Sequence, residues 1–453
     1  MYAPRALRPA EDDRPAAPPP SPAGRRLTRA TRAGLARVLP RDPLLRNGHL
    51  LAMGSLINAA LGGIFWVCAT RWYDDSVVGV SYSALAAATL LAAIGQLNLN
   101  DVLVRFVPAA GRHTRKLVLA SYLTSGACSV AVAVGFLLLV PRTTPELNFL
   151  LDPATALCFV AATAGYAVFV LQDGVLTGVR RPGWVVAENI MFAAVKIVLL
   201  AVGAAMALFT GILLSWAGAL AVAVLVTNFF LLRRVIPRHE STSPQAGRPP
   251  RLVGYAAADY VGSMFRMAAY DVLPLLVLAT MGAAASAYFS LSWIVGYMLY
   301  LVTTNMGSSL IVEATRDPAL LTRHAFRMLR HSALLMALAV IATVVAAPYL
   351  LSLFGAQYAE HGTTLLRLVA LSALPNLLVS LAVDVARARR RMRTVVGLQL
   401  ALCVLVLGLS GIFLPLMGLT GAGVAWLVAQ CVLALHLLVR RSRWLPRSSE
   451  TLS

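Results

Sequence analysis

The segment YAAADYVGSMFRMAAYDVLPLLVLAT (Tyr255–Thr280) is long enough to cross a membrane as a helix, yet it holds three formally charged side chains. A helix needs about 20 predominantly apolar residues to span the ~30 Å hydrocarbon layer of a bilayer. An ionised side chain at that depth costs several kcal/mol unless it faces a cavity or a partner. The segment therefore predicts a membrane-spanning helix with one polar side.

The composition of the whole chain is typical of a membrane protein. Hydrophobic residues make up 59% of the 453 residues and charged residues only 13%, whereas a soluble chain carries about 25% charged residues. The mean hydropathy is +0.75. A transmembrane β-barrel would instead show short segments of alternating hydrophobicity. We therefore predict an all-α polytopic membrane protein with about twelve transmembrane helices in two six-helix bundles around a central cavity.

A polar, proline-rich segment divides the apolar runs six and six, a layout common among transporters built from two repeats. The predicted spans are 48–69, 77–97, 117–140, 154–174, 184–208, 211–232, 252–280, 284–311, 331–355, 363–386, 394–415 and 418–439. The predicted organisation is a disordered cytoplasmic tail (1–43), an N-terminal bundle (44–232), a cytoplasmic linker (233–251), a C-terminal bundle (252–440) and a second cytoplasmic tail (441–453).

The positions of the basic residues predict the orientation of the chain. Of the 39 lysines and arginines, only Arg71, Arg142 and Arg367 lie on the side of the spans opposite to the tails and the linker. Cytoplasmic loops carry the excess of basic residues in multi-pass proteins. We therefore expect a bacterial-type plasma membrane location with both termini cytoplasmic. The net charge of +20 is dispersed over these loops and does not form the continuous basic face of a nucleic-acid-binding protein.

The polar residues within the predicted spans are the main candidates for function. In span 7, Tyr255, Asp259, Gly262, Ser263, Arg266 and Tyr270 fall on one side of a helix, while Asp271 points away from them. Asp259 and Arg266 are about 10.5 Å apart along the axis and lean toward each other. This stripe indicates either a hydrophilic cavity wall or an internal ion pair that fixes helix packing.

Other spans contribute further polar or aromatic groups. Lys196 lies near the midplane of span 5 and shares a face with Asn189, and it faces either a substrate or a carboxylate of another span. In span 1, Asn58 favours an interhelical hydrogen bond over a ligand contact, and the adjacent Gly62-Gly63 pair favours close helix packing. An aromatic stripe in span 8 is suited either to packing or to stacking on sugar rings; it comprises Phe289, Trp293, Tyr297 and Tyr300.

The sequence carries no signature of an enzyme or of a metal or cofactor site. The five cysteines lie inside apolar runs, and the seven histidines are scattered without metal-ligand spacing. No phosphate-binding loop or nucleophile motif occurs. The outer loops are too short to carry the site of a membrane glycosyltransferase or polymerase. We therefore expect no enzymatic activity, no cofactor and no metal.

Three segments resemble bacterial polysaccharide flippases of the multidrug/oligosaccharidyl-lipid/polysaccharide exporter superfamily. They are NLNDVLVRFVP (98–108), VLQDGVLTGVRRPGWVVAENIMFAAVKIVLL (170–200) and FGAQYAEHGTTLLRLVALSALPNLLVSL (354–381). The resemblance implies alternating-access flipping of a polyprenyl-diphosphate-linked saccharide to the outer leaflet, for cell-surface polysaccharide biosynthesis. It implies as partners the membrane lipid, the lipid-linked saccharide and glycan-assembly enzymes.

A diphosphate removed from water needs cationic partners. We accordingly assign Arg266 and Lys196 to the headgroup, with Asp259, Tyr270, Asn58 and Asn189 as further substrate-binding residues. Basic residues at the cytoplasmic mouth are assigned to substrate entry, with their role as topology charges as the alternative; they are Arg105, Arg180 and Arg181. Asp259 and Asp271 are assigned to ion coupling.

Two other transporter classes were compared with the flippase. A cation-coupled small-molecule exporter of the same superfamily would have an acidic and aromatic cavity, whereas a diphosphate carrier would have a basic one. A major-facilitator transporter would carry a glycine-and-acid signature between spans 2 and 3, which NDVLVRFVPAAGRHTRK (100–116) lacks. The charge of the cavity lining is therefore the property that distinguishes a small-molecule exporter from a saccharide flippase within the superfamily.

Overall fold

The computed structural model of the protein describes residues 43–139, 144–179, 181–242, 253–316 and 321–440. All regular structure in these residues is helical, and no strand forms among them. The predicted disorder of the N-terminal tail and the predicted C-terminal tail concern residues outside this description.

The N-terminal part of the described chain forms six long helices and two short ones. They are α1 (Pro43–Trp72), α2 (Asp75–Gln96), α3 (Leu99–Ala110), α4 (Thr114–Leu139), α5 (Pro153–Gly178), α6 (Pro182–Ala205), α7 (Gly211–Phe230) and α8 (Ile236–Thr242). Two 3₁₀ segments, Gly111–His113 and Pro145–Leu151, precede α4 and α5, and a π-helical turn at Leu231–Val235 joins α7 to α8.

The C-terminal part of the described chain forms six long helices. They are α9 (Val253–Met281), α10 (Ala283–Arg316), α11 (Leu321–Ser352), α12 (Ala356–Ala388), α13 (Met392–Met417) and α14 (Leu419–Val439). Ten stretches of described residues are long and apolar enough to cross a membrane, and they belong to all of the long helices except α1 and α10. Together with α1 and α10, the twelve long helices correspond to the twelve predicted spans, so the predicted fold class is confirmed.

Local chemistry explains where several helices begin and turn. Asp152 Oδ2 accepts a hydrogen bond from the Thr155 N–H at 3.1 Å and caps α5. Pro153 and Pro182 occupy the first turns of α5 and α6, where a missing N–H has no cost. Gly282, with φ of +84°, turns the chain between α9 and α10, and it forms the very short loop that the sequence predicts there.

The two parts of the chain have their own apolar cores and also contact each other. One core of buried side chains lies within α9–α14, where Trp426 is fully enclosed. Others lie largely within α2–α7. A further cluster joins Phe65 of α1 and Val78 of α2 to Leu291 of α10 and Leu351 of α11. Because α2 packs against both α9 and α10, these helices form the junction between the bundles.

The helices run back and forth between two ends of the molecule. We call the end that carries the turns 97–98 and 389–391 the basic end, and the end that carries the turns 73–74 and 282 the opposite end. The basic end is the one that the arginine distribution predicts to be cytoplasmic. The short helices α3 and α8 both lie there, in segments for which the sequence predicted only loops.

Candidate functional site

A cavity of about 460 Å³ lies where α1, α2 and α5 face α9 and α10. Its volume is within the range of pockets that hold small organic molecules. The lining residues are Ala59, Gly62, Gly63, Trp66, Tyr82, Thr89, Tyr166, Arg266, Met267, Tyr270, Asp271, Trp293, Ile294, Tyr297 and Met298. Because both bundles contribute to the lining, a movement of one bundle against the other would change the shape of the cavity.

Six aromatic side chains dominate the cavity wall: Trp66, Tyr82, Tyr166, Tyr270, Trp293 and Tyr297. The Tyr270 ring centroid lies 5.6 Å from that of Trp293 and 5.4 Å from that of Tyr297. Across the cavity, the Trp66 and Tyr82 centroids are 5.1 Å apart. These contacts hold the rings in place, so the wall presents fixed aromatic faces to a ligand.

The aromatic stripe of α10 divides between the cavity and the core. Trp293 and Tyr297 line the cavity, whereas Phe289 and Tyr300 are buried in the C-terminal core. The Trp426 Nε1–H donates a hydrogen bond to Tyr300 Oη at 2.7 Å, and Ser372 Oγ lies 2.5 Å from the same oxygen. Packing and ligand contact, the two roles considered for this stripe, are thus carried by different residues.

One basic and one acidic side chain, Arg266 and Asp271 of α9, occur among the described residues that line the cavity. Helical periodicity predicted that Asp271 points away from the polar stripe, yet the cavity extends far enough around α9 that Asp271 lines it together with Arg266 and Tyr270. Pro274 follows less than one turn later and lacks the N–H that would bond to the Tyr270 carbonyl. The cavity therefore lies beside an interruption in the hydrogen bonding of α9.

Asp259 forms an ion pair with Arg387 of α12, not with Arg266. Arg387 Nε donates to Asp259 Oδ1 at 2.9 Å, and Arg387 Nη1 lies 3.8 Å from Asp384 Oδ1. All three residues lie toward the basic end, and Asp101 of α3 is within electrostatic reach of both Asp259 and Arg387. Of the two roles considered for the stripe, Asp259 takes the ion pair, with Arg387 of another helix as its partner, whereas Arg266 lines the cavity.

Lys196, Asn58 and Asn189 all lie outside the cavity lining. Lys196 Nζ is 4.2 Å from the ring centroid of Phe65 and 5.2 Å from that of Phe192. This arrangement is a cation–π contact. Asn189 Nδ2 donates to the Val185 carbonyl at 2.9 Å within α6, and Asn58 is exposed on α1. Their assignment to the substrate stays a prediction.

The predicted entrance residues lie at the basic end. Arg105 is exposed on α3, Arg181 is exposed at the start of α6, and Arg180 falls outside the described residues. In contrast to the close packing expected at Gly62 and Gly63, no described atom of another element lies within 4 Å of a β-carbon built on either glycine. Both glycines instead open the α1 wall of the cavity.

A buried pair of carboxyl groups in the N-terminal bundle was missed as a pair by the sequence analysis. Glu188 of α6 is 3% exposed, and Asp173 of α5 is within its electrostatic reach. The Thr227 side chain lies beside the Glu188 carboxyl group, and the Asn189 side chain lies beside that of Asp173. The sequence signal that marks the pair is Asp173 at the end of an otherwise apolar span.

The bundles are joined tightly at the opposite end. Arg71 Nη2 donates to the Leu353 carbonyl at 3.2 Å, and the Tyr288 hydroxyl donates to Asp75 Oδ2 at 2.9 Å. A β-carbon on Gly79 would lie 1.8 Å from the Ala283 carbonyl oxygen. Toward the basic end, the Tyr260 hydroxyl donates to the Ile94 carbonyl at 2.6 Å. Contacts between the bundles thus exist on both sides of the cavity.

This architecture is similar to that of solved membrane transporters. An inward-facing multidrug resistance MATE family transporter of the MOP superfamily has a TM-score of 0.65 at 15% identity, covering 87% of this chain and 96% of that chain. An outward-facing MATE structure gives 0.64 at 14% identity, covering 89% and 96%. A MOP superfamily transporter from Pyrococcus furiosus gives 0.60 at 14% identity, covering 88% and 95%. The chain therefore has a MATE-like fold with two helical bundles.

The sequence comparisons add no finer assignment. No protein-family model matches the chain, and no curated protein matches it. The resemblance to the exporter superfamily is supported at the level of the superfamily fold, while its polysaccharide flippase branch is a separate question of function.

Proposed function

We propose that the protein is an alternating-access exporter of planar, amphipathic organic molecules of drug size. The observation that carries this proposal is the cavity shared by the two bundles, with six aromatic side chains and equal numbers of basic and acidic groups. Of the two candidate functions within the superfamily, this lining favours the small-molecule exporter over the lipid-linked saccharide flippase.

The charge of the cavity is the discriminating property. A diphosphate carries several negative charges, and a site that takes it from water needs an excess of cationic donors. Arg266 is the single basic residue in the part of the lining that the structure describes, and it shares the cavity with Asp271. Lys196, the second cation expected for a diphosphate, lies beneath Phe65 and Phe192. Aromatic faces, in contrast, bind planar rings and organic cations.

The structural neighbours also support a small-molecule exporter. The neighbours with TM-scores of 0.65 and 0.64 are multidrug resistance transporters, captured in inward-facing and outward-facing conformations. A chain with the same two-bundle fold and a cavity between its bundles is suited to the same alternation. We assign ion coupling to Asp271, because it lines the cavity, whereas Asp259 is held by Arg387.

A lipid-linked saccharide flippase is the second candidate. It is favoured by Arg266 within the cavity and by the Pyrococcus furiosus neighbour, whose binding pocket is described as having a reverse polarity that suggests a different function.

For either candidate function, we place the protein in a plasma membrane as a multi-pass protein with the basic end in the cytoplasm.

Transport by the purified protein in liposomes separates the two candidates. We expect uptake of ethidium, a planar organic cation, into proteoliposomes that carry an imposed proton or sodium gradient, and none into protein-free liposomes. In parallel, the transbilayer movement of a polyprenyl-diphosphate-linked saccharide is measured in the same vesicles. Saccharide movement without ethidium uptake would favour the flippase and contradict the exporter.

A further inference from the structure

A second cavity of about 460 Å³ opens at the basic end of the N-terminal bundle. It lies between the start of α6, the π-helical turn after α7, and α8. Its lining residues are Val179, Arg181, Trp184, Phe230, Arg234, Val235, Arg238, His239 and Ser241. None of these residues lines the cavity between the bundles, so the two cavities are separate sites.

The lining of this second cavity is strongly cationic. Among the described residues, the lining contains three arginines, Arg181, Arg234 and Arg238, and no aspartate or glutamate. The adjacent carboxylate, Glu240, accepts a hydrogen bond from the Arg115 backbone N–H at 2.9 Å through its Oε1. Guanidinium groups at this density suit an anion with several acceptor oxygens, of which a phosphate is the best match in geometry.

Two aromatic side chains set the depth of the cavity in the membrane. The rings of Trp184 and Phe230 lie 5.6 Å apart, and the neighbouring Phe229 is 54% exposed. Tryptophan and other aromatic side chains concentrate at the level of lipid headgroups. The cavity thus has arginines beside aromatic groups at the boundary of the predicted membrane layer.

The backbone beside Arg234 departs from a regular α-helix. The chain widens into a π-helical turn at Leu231–Val235, a rare conformation that is frequent at functional sites. The Arg234 guanidinium lies 5.8 Å from the Phe230 ring centroid. His239 Nε2 lies 3.0 Å from the Val107 carbonyl oxygen of α3. This contact ties α8 to the bundle and fixes the far wall of the cavity.

We propose that this second cavity binds the phosphate of an anionic membrane lipid headgroup. Basic pockets between helices on the cytoplasmic side of membrane proteins recognise such headgroups. A free phosphate ion would use the arginines alone, whereas a lipid also covers the apolar faces of Trp184 and Phe230. The proposal does not depend on what the transporter carries.

The chain provides a matched control for the test. Arg233 precedes Arg234 in the same π-helical turn, is exposed, and stacks on Phe229 at 4.9 Å, but it does not line the cavity. Neutralising either arginine removes the same charge from the same surface. A difference between Arg234→Gln and Arg233→Gln therefore reports contact within the cavity and not the overall field.

The experiment measures lipid binding to the purified full chain in detergent by native mass spectrometry. The probes are dioleoylphosphatidylglycerol, dioleoylphosphatidylcholine and glycerol 1-phosphate. We expect phosphatidylglycerol to bind at least tenfold more tightly than either other probe. We expect Arg234→Gln and Arg181→Gln each to weaken its binding about tenfold and Arg233→Gln to change it less than twofold.

Two results would overturn the proposal. Equal losses in Arg234→Gln and Arg233→Gln would mean that the surface charge, not the cavity, attracts the lipid. Equal affinity for glycerol 1-phosphate and phosphatidylglycerol would mean that the site takes a soluble phosphate. Thermal unfolding of each variant without lipid verifies that the protein is folded, and Arg234→Lys serves as a folded replacement that retains the charge but lacks the planar fork.

Discussion

Arg387 of α12 donates a hydrogen bond from Nε to Asp259 Oδ1 of α9 at 2.9 Å, and both side chains are about three-quarters buried. Asp384 lies on the other side of the same guanidinium, with its Oδ1 3.8 Å from Nη1. One arginine thus serves two carboxylates at the basic end of the C-terminal bundle, with Asp101 of the N-terminal bundle nearby.

Loss of this arginine should destabilise the protein more than loss of Asp259. Arg387→Gln leaves two neighbouring carboxylates without their cation, which costs about 2–4 kcal/mol. Asp259→Asn leaves Arg387 with Asp384, so we expect a loss of about 1 kcal/mol. The midpoint temperature of thermal unfolding in detergent shows which of the two variants is less stable.

The charge-reversed double variant Asp259→Arg with Arg387→Asp provides the control. It should recover part of the stability lost in either reversed single variant, because the pair is restored with opposite polarity. Equal midpoints for Arg387→Gln and Asp259→Asn would contradict the shared-arginine arrangement.

Gly79 of α2 should tolerate no side chain in the observed arrangement of the bundles. A β-carbon there would lie 1.8 Å from the Ala283 carbonyl oxygen and 2.8 Å from the Ala287 nitrogen, both backbone atoms of α10. We expect Gly79→Ala to separate α2 from α10 and to lower stability by about 1–3 kcal/mol. Labelling of Ser83→Cys by a membrane-impermeant maleimide, in a background without the five native cysteines, should become faster.

Gly126 of α4 is the matched control for Gly79. No atom of another element lies within 4 Å of a β-carbon built there, and alanine is the better helix former by about 1 kcal/mol. Gly126→Ala should leave both the labelling rate and the stability unchanged or slightly higher. If Gly79→Ala behaves in the same way, the tight junction at the opposite end is not a feature of the protein.

Arg266 and Lys196 should differ in their effect on substrate affinity. Arg266 lines the cavity between the bundles, whereas Lys196 is stacked on Phe65 outside the lining. We expect Arg266→Gln to change the KM for transport at least fivefold, and Lys196→Met to leave it within twofold. A raised KM in Lys196→Met would show that Lys196 reaches the substrate, as the sequence analysis assigned.

The Glu188 side chain is 3% exposed within α6, and Asp173 of α5 lies close to it. A buried carboxylate without a cation is far more costly than the protonated acid. We therefore expect Glu188→Gln to change the stability by less than about 1 kcal/mol. A loss above about 3 kcal/mol would indicate an ionised Glu188 paired with a bound cation.

The fold was predictable because each span must satisfy two independent constraints. The thickness of the hydrocarbon layer sets the length of each apolar run. The short polar turns set where the next run begins, as at Gly282 between α9 and α10. The helices α3 and α8 were not predicted. They lie at the basic end, where polar residues are tolerated and hydropathy no longer distinguishes a helix from a loop.

The cavity was only partly predictable. Helical periodicity grouped Arg266 with Tyr270, and both line the cavity. It placed Asp271 away from them and offered Arg266 as one possible partner of Asp259. The residue that pairs with Asp259 is 128 positions away in the sequence, and periodicity within one helix carries no information about such a contact. For the same reason, the contribution of Trp66, Tyr82 and Tyr166 to the wall becomes visible only once the bundles are assembled.

The central claim is that one aromatic cavity, shared by both bundles, binds the transported molecule. Its most direct test is ethidium transport by Tyr82→Leu of α2, Tyr297→Leu of α10 and the control Trp72→Leu, which is 46% exposed and lies outside the lining. Loss of one aromatic face should raise the KM about five- to thirtyfold in both tyrosine variants and leave Trp72→Leu unchanged. Unchanged transport in both tyrosine variants, with wild-type thermal stability, would contradict the claim.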